Sequence, residues 1–90
     1  MVISGTIKVT SAGTRVQAAH KGNFKTAVFK ARSDNTGDMY LGGDDVSSSA
    51  GMTLTPGESL QIQSVNPAST AQFWADVASN NDQVDFIGSV

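Results

Sequence analysis

Short runs in which apolar and polar residues alternate recur along the whole chain. In the first run, Ile3, Ile7 and Val9 occupy odd positions, whereas Thr6 and Lys8 occupy even ones. Successive side chains of a β-strand point to opposite faces, so this period of two indicates a strand with one buried face. A chain made of such runs can bury its apolar residues only by packing sheet against sheet.

Turn-forming residues separate the runs at intervals of about ten residues, a spacing typical of all-β domains. They lie at 11–14, 20–23, 33–38, 42–51, 55–58, 64–68 and 79–82. The Pro-Gly pair within 55–58 favours a type II turn. The pattern predicts a single all-β domain over residues 1–90. It would contain about seven short antiparallel strands in a compact β-sandwich or small barrel.

Three local predictions refine this architecture. Residues 25–41 are expected to form a β-hairpin around their central turn, and residues 74–87 are expected to form a second, closing hairpin. Over residues 69–78 a helix competes with a strand, because Phe73 and Val77 are four positions apart. The aromatic and β-branched content of this segment favours the strand.

The inward positions of the runs define an expected core. The core would comprise Ile7, Val9, Val16, Phe29, Tyr40, Leu54, Leu60, Ile62, Phe73, Val77, Val84 and Phe86.

Basic and acidic residues are segregated along the chain. All six basic residues precede position 33 and all eight acidic residues follow it, for a net charge of −2. Strands from the two halves could interleave, which would cancel the segregation. Alternatively, the halves could occupy different faces and make the molecule a dipole suited to packing against copies of itself. A pI near 4.9 argues against binding to nucleic acid, whose phosphates call for a basic surface.

The side chains that most often carry catalysis and metal binding are scarce. The chain has no cysteine and one histidine, His20, which is followed by Lys-Gly-Asn in a turn-like context. Thiolate chemistry and multi-histidine zinc sites are therefore excluded. No serine is flanked by the glycines of a nucleophile elbow. We expect a protein that is not an enzyme and that needs no cofactor.

Residues 42–51 form a stretch of small residues with the sequence Gly-Gly-Asp-Asp-Val-Ser-Ser-Ser-Ala-Gly. A connection of this length is long for a small domain, so it is either a surface loop with a binding task or a plain flexible connection. Its candidate partner-binding residues are Asp44, Asp45, Val46, Ser47, Ser48 and Ser49. A surface Ca²⁺ or Mg²⁺ site at 34–38 or at 44–49 is a less favoured alternative to solvated turns.

Trp74, the single tryptophan, completes the set of candidate binding residues. Together with Phe73 it could form a platform on which a sugar or a protein partner stacks. Aromatic residues of this kind are more often core or interface anchors, and we prefer that interpretation.

Motifs in the middle of the chain point to a family. The run Met-Tyr-Leu-Gly-Gly-Asp-Asp-Val-Ser-Ser-Ser-Ala-Gly at 39–51 is followed by Leu-Thr-Pro-Gly-Glu-Ser-Leu at 54–60. The sequence resembles small structural proteins of tailed bacteriophages, which pass from a strand through such a serine-rich loop to a Pro-Gly-Glu-Ser turn. The likeness extends to the flanking segments 5–10, 29–31, 74–76 and 82–84.

The resemblance implies a capsid cement (decoration) protein, or a related head-fibre or tail component, with a β-sandwich or barrel fold. Its partners would be the major capsid protein and copies of itself, as a trimer at points of local three-fold symmetry. Its place would be the capsid surface of the virion. The alternative is an adhesive head-fibre or tail module that binds a host surface glycan through Trp74 and the 42–51 loop. The resemblance assigns no role to any single residue.

The first residues fit assembly in the cytoplasm of a host bacterium. Residues 1–6 lack a basic stretch followed by an apolar run, so we expect no signal peptide. No run of about 18 apolar residues occurs, so we expect no membrane partner.

Overall fold

A computed structural model describes residues 2–89, of which residues 65–67 are described by their backbone alone. Eight strands account for most of this part of the chain, and one 3₁₀ turn, Thr70–Gln72, precedes the seventh strand. In chain order the strands are β1 (Val2–Val9), β2 (Val16–Gln17), β3 (Asn23–Ala31), β4 (Met39–Gly42), β5 (Met52–Leu54), β6 (Ser59–Ser69), β7 (Trp74–Val77) and β8 (Asp82–Ser89).

The strands form two four-stranded antiparallel sheets that enclose one apolar core. The first sheet has the order β1-β8-β3-β6, and the second has the order β2-β7-β4-β5. Both sheets are open, so the fold is a β-sandwich and not a barrel. The all-β class predicted from alternation is confirmed, with one strand more than expected.

The core lies between the inner faces of the two sheets. Phe29 is fully buried at its centre, with its ring centroid 4.8 Å from that of Phe73 and 5.3 Å from that of Phe86. Aromatic pairs at such distances add to the free energy gained by removing apolar area from water. Eleven of the twelve expected core residues are buried or pack against the buried cluster.

Tyr40 is the exception. The prediction placed the wrong face of its strand in the core. Met39 and Leu41 point into the core with exposures of 1% and 3%, so Tyr40 lies on the outer face of β4. All three residues of this run are apolar enough for either face. The alternation alone therefore left the parity of the strand undecided.

Phe24 is a fully buried residue that the sequence pattern missed. The pairing of β3 with β6 shifts register between Phe24 and Thr26, which marks a β-bulge. The side of β3 that faces the core changes across this irregularity, so both Phe24 and Ala27 are buried.

Both predicted hairpins are wrong. The strands flanking residues 32–38, β3 and β4, belong to different sheets, as do β7 and β8, which flank residues 78–81. Both connections cross from one sheet to the other at one end of the sandwich. A period of two identifies a strand but carries no information about its neighbour, and sequential pairing was the wrong default here.

Side-chain hydrogen bonds to β8 hold the 32–38 crossing in place. The carboxylate of Asp82 accepts the backbone N–H groups of Thr36 and Gly37, both at 2.9 Å. The Asn35 amide donates to the carbonyl of Gln83 and accepts its N–H, also at 2.9 Å. Asp82 is only 5% exposed, and each of its two carboxylate oxygens accepts one backbone N–H of the crossing, so the buried carboxylate is itself hydrogen-bonded.

Other local predictions are confirmed. Thr55 to Glu58 form a turn closed by a 2.9 Å backbone hydrogen bond, with Gly57 at a φ of +88° as a type II turn requires. The strand preferred over a helix within residues 69–78 is present as β7, after the short 3₁₀ turn capped by the Ser69 hydroxyl.

The basic and acidic segments of the chain interleave in space. The acidic strand β8 lies between β1 and β3, which carry basic residues, so that Lys30 lies directly opposite Asp85. The two halves of the chain therefore do not form separate charged faces in this sheet. None of the helical structure within residues 2–89 has the length and apolar character needed to cross a bilayer.

Candidate functional site

The outer face of the second sheet brings together the predicted binding residues. Trp74 lies directly opposite Gly42 on β4 and opposite Gln17 on β2. In the next row of the same face, Tyr40 lies between Asp76 and Thr53. Trp74 and Tyr40 are both half-buried, so each presents part of its ring to the surface.

Val46 anchors the 43–51 loop to this face. Its side chain is 1% exposed, yet it does not belong to the core between the sheets. A methyl group placed on Gly42 would come within 3.2 Å of Val46 Cγ2, so Val46 lies over the bare backbone of Gly42. The absence of a side chain at Gly42 thus creates the space that Val46 fills.

Gly51 closes the loop against Val46 and the backbone of β4. Its φ of +115° favours glycine, and a Cβ atom there would come within 2.8 Å of both the Leu41 carbonyl oxygen and Val46 Cγ2. The Ser47 and Ala50 backbones exchange hydrogen bonds of 3.0 and 3.2 Å. These contacts tie the loop to β4 through Val46 and Gly51 and join its two sides.

Polar side chains of the loop remain available at the surface. Asp44, Asp45, Ser48 and Ser49 are exposed, and Ser47 is half-buried with its hydroxyl 3.2 Å from that of Ser49. Val46, which we had included among the contact residues, is an internal anchor. The surface formed by the four exposed side chains and Trp74 is called the loop surface below.

A second connection borders the other end of this face. The carboxylate of Asp76 accepts the N–H of Gly13 at 2.9 Å and that of Val77 at 2.8 Å. Asn80 accepts the N–H of Ala12 at 2.8 Å. Asp76 is 5% exposed, so it serves to hold residues 11–14 and is not presented to a ligand.

Tyr40 and Gln17 belong to the same face but were not predicted as site residues. Tyr40 had been assigned to the core, and Gln17 donates a 2.7 Å hydrogen bond to the Ala71 carbonyl oxygen. The signal that could have found them is the register, since residues directly opposite each other across neighbouring strands share a face. Register follows from strand pairing, which the alternation does not specify.

A separate polar cluster lies on the first sheet. Asp85 accepts a 2.9 Å salt-bridge hydrogen bond from Arg32 Nε and a 2.7 Å hydrogen bond from the Thr6 hydroxyl. Partial burial would raise the pKa of the Asp85 carboxyl, but hydrogen bonds from Arg32 and Thr6 and the charges of Arg32 and Lys30 outweigh it. The resulting pKa lies below the ordinary value, and the Asp85 carboxylate raises the pKa of Arg32 in turn.

The single histidine has a serine partner. His20 Nδ1 and Ser69 Oγ are 2.7 Å apart, and Ser69 Oγ also accepts the N–H of Ala71 at 3.1 Å as the cap of the 3₁₀ turn. The Ser69 hydroxyl thus links His20 to the start of the 3₁₀ turn.

Metal-binding groups do not cluster in the part of the chain that the structure describes, where no three His, Cys, Asp or Glu side chains could hold one ion. Comparison with known proteins adds no assignment: no family model, no curated protein and no solved structure matches the chain.

Proposed function

We propose that this chain is a structural virion protein, a cement (decoration) protein of a bacteriophage capsid. It would bind the major capsid protein, act in many copies and stabilise the shell without catalysing a reaction. The resemblance of residues 39–60 to tailed-phage structural proteins supplies the class of partner. Weak contacts repeated at many sites are sufficient for such a role.

The observation that carries the proposal is the construction of the loop surface. Val46, Gly42 and Gly51 fix the loop from below, while Asp44, Asp45, Ser48 and Ser49 stay exposed. A loop fixed before binding loses little conformational entropy when it meets a partner. This is the property expected of an adhesive loop on a rigid sandwich.

The experiment is co-sedimentation with capsids that lack the protein, taken from the phage that encodes it. We expect saturable binding and several hundred copies per particle by mass spectrometry of purified virions. Absence from virions would refute the proposal. A handful of copies would instead indicate a vertex or tail component.

A loop variant tests the contact surface. Alanine at Asp44, Asp45, Ser48 and Ser49 removes the exposed polar groups but keeps Val46, so the fold should be retained. The matched control is alanine at Ser33 and Asp34, which are exposed on the separate 32–38 connection. We expect capsid occupancy to fall only in the loop variant, and equal occupancy of the two would exclude the loop as the contact.

A second candidate function is supported by the half-buried ring of Trp74. Trp74 lies on the outer face of the second sheet and is only half-buried, so part of it remains accessible to a sugar ring. The chain would then be an adhesive head-fibre or tail module for a host surface glycan. Binding to a glycan array that disappears in Trp74→Ala and persists in Trp74→Phe would favour this function; an array without signal would exclude it.

A further inference from the structure

The outer face of the first sheet exposes apolar side chains that its own chain does not cover. Ile87 is 54% exposed on β8, Val2 is 66% exposed on β1, and Val28 is half-buried on β3. Ile87 and Val28 lie directly opposite each other at the centre of the sheet. Adjoining apolar residues on a sheet face indicate a surface that meets a partner.

Charged and polar rows lie on either side of this central pair. Lys30 lies opposite Asp85 in one adjacent row, and Thr26 lies opposite Ser89 in the other. The three rows across β8 and β3 are therefore polar, apolar and charged, in that order. The acidic member of the charged row is on β8 and the basic member is on β3.

We propose that this face binds the same face of a second copy, with a two-fold axis that runs along the strands midway between β8 and β3. A rotation of 180° about this axis places each row of one copy over the same row of the other. It also places β8 of one copy over β3 of the other. Ile87 of each copy then packs on Val28 of the other, and Asp85 of each copy faces Lys30 of the other. The apolar row and the charged row are thus each complementary to themselves, and Asp85 keeps its salt bridge with Arg32 of its own chain.

The charges select this axis over the other in-plane choice. A two-fold axis perpendicular to the strands, through the apolar row, would place Ile87 on Ile87 and leave Asp85 facing Ser89. The proposed axis instead forms two opposite-charge pairs. Face-to-face packing of aligned sheets at a spacing of about 10 Å is a common arrangement in β proteins.

The size of the face limits the area that a dimer can bury. The Cα trace spans 32 × 24 × 17 Å along its principal axes. One face is therefore similar in area to the ~800 Å² per partner of a standard interface. Interfaces of this size range from micromolar to picomolar affinity, so the area is sufficient for a dimer. We expect a dimer, in place of the trimer implied by the resemblance. This inference concerns a different face from the loop surface and does not depend on attachment to a capsid.

Two single variants and their mixture test the geometry. Lys30→Asp makes the charged row wholly acidic, and Asp85→Lys makes it wholly basic, so each variant alone should dimerise at least about tenfold more weakly. Mixed one to one, the acidic row of one copy faces the basic row of the other. Native mass spectrometry should then show the mixed dimer in excess of both homodimers.

Ile87→Lys tests the apolar row, with Met52→Lys as its control. Met52 is 56% exposed, as Ile87 is 54% exposed, but it lies on the edge strand of the second sheet. Sedimentation velocity across a concentration series should show that only Ile87→Lys abolishes the dimer, with both melting temperatures close to wild type. A wild-type monomer at about 1 mM, a trimer indifferent to Ile87→Lys, or a mixture with no preference for the mixed dimer would overturn the proposal. So would a monomer that loses capsid binding in Ile87→Lys, because the face would then be covered by another protein.

Discussion

The side chain of Val46 lies over the bare Cα of Gly42, and a single methyl group at position 42 would come within 3.2 Å of it. This contact fixes the candidate binding loop on the outside of the sandwich, separate from the core between the sheets. It makes the conformation of the loop depend on one buried side chain within a polar sequence.

Val46→Ala should loosen the loop far more than it destabilises the domain. Removing two methyl groups from a buried site costs about 1–2 kcal/mol, and this loss falls on the loop's own contacts. Hydrogen exchange of the amides of residues 43–51 should accelerate, whereas the amides of β3 and β8 should stay protected. Uniform acceleration throughout the domain would show that Val46 belongs to the global core.

Phe29→Ala should be among the most destabilising single changes. Phe29 is fully buried between Phe73 and Phe86, so the truncation leaves a cavity in the aromatic cluster. The free energy of unfolding should fall by about 3–5 kcal/mol in urea titrations. Phe29→Leu, which fills most of the space, should cost less than half as much; equal losses would mean that volume is not the cause.

Asp82→Asn should release the 32–38 crossing. The carboxylate accepts two backbone N–H groups, whereas an amide offers only one oxygen and would point its own N–H groups at the second donor. Loss of a buried hydrogen bond of this kind costs about 1–3 kcal/mol. The same change at the exposed Asp34 of that connection should have little effect on the unfolding midpoint, and a similar loss at both positions would contradict the role assigned to Asp82.

Asp85 gives stability a defined pH dependence. Its pKa is below the ordinary value of 3.8, so the folded state holds the ionised form more firmly than the unfolded chain does. The stabilising contribution is complete above about pH 5 and is lost as the pH falls through the lowered pKa. The contribution is small, because the Arg32 and Asp85 side chains are 41% and 44% exposed.

The measurement is the difference in unfolding free energy between wild type and Asp85→Asn at each pH. This difference should be positive and constant near neutral pH and should shrink towards zero in acid. Asp45→Asn, at an exposed carboxylate of the 43–51 loop, provides the reference for a general charge effect. A difference that grows as the pH falls would have the wrong sign for a lowered pKa.

Much of the fold follows from residue periodicity, and the exceptions have identifiable causes. Ile7, Val9 and Val84 alternate with polar residues, which is sufficient to place them in a buried face. Phe24 was missed because the side of β3 that faces the core changes at the bulge. Tyr40 was misplaced because both its neighbours are apolar. Periodicity is a property of one strand, whereas bulges and pairing depend on two.

The candidate site shows the same division. The loop and Trp74 could be selected from composition, but their proximity results from the pairing of β4 with β7. That pairing depends on two connections that cross between sheets, at residues 32–38 and 78–81. Buried carboxylates such as Asp82 hold such crossings, and a sequence pattern read for apolar residues passes over them.

The position of β8 constrains how the molecule is made. β8 follows the other seven strands along the chain, yet it lies inside the first sheet, between β1 and β3. On the ribosome, β1 therefore remains without a partner until residues 82–89 have emerged, and β3 has only β6 beside it. Closure of the sheet is a late event that joins segments nearly eighty residues apart, and contacts so distant in sequence are formed slowly. The domain must therefore complete its first sheet after these residues are synthesised, with two open strand edges exposed to the cell until then.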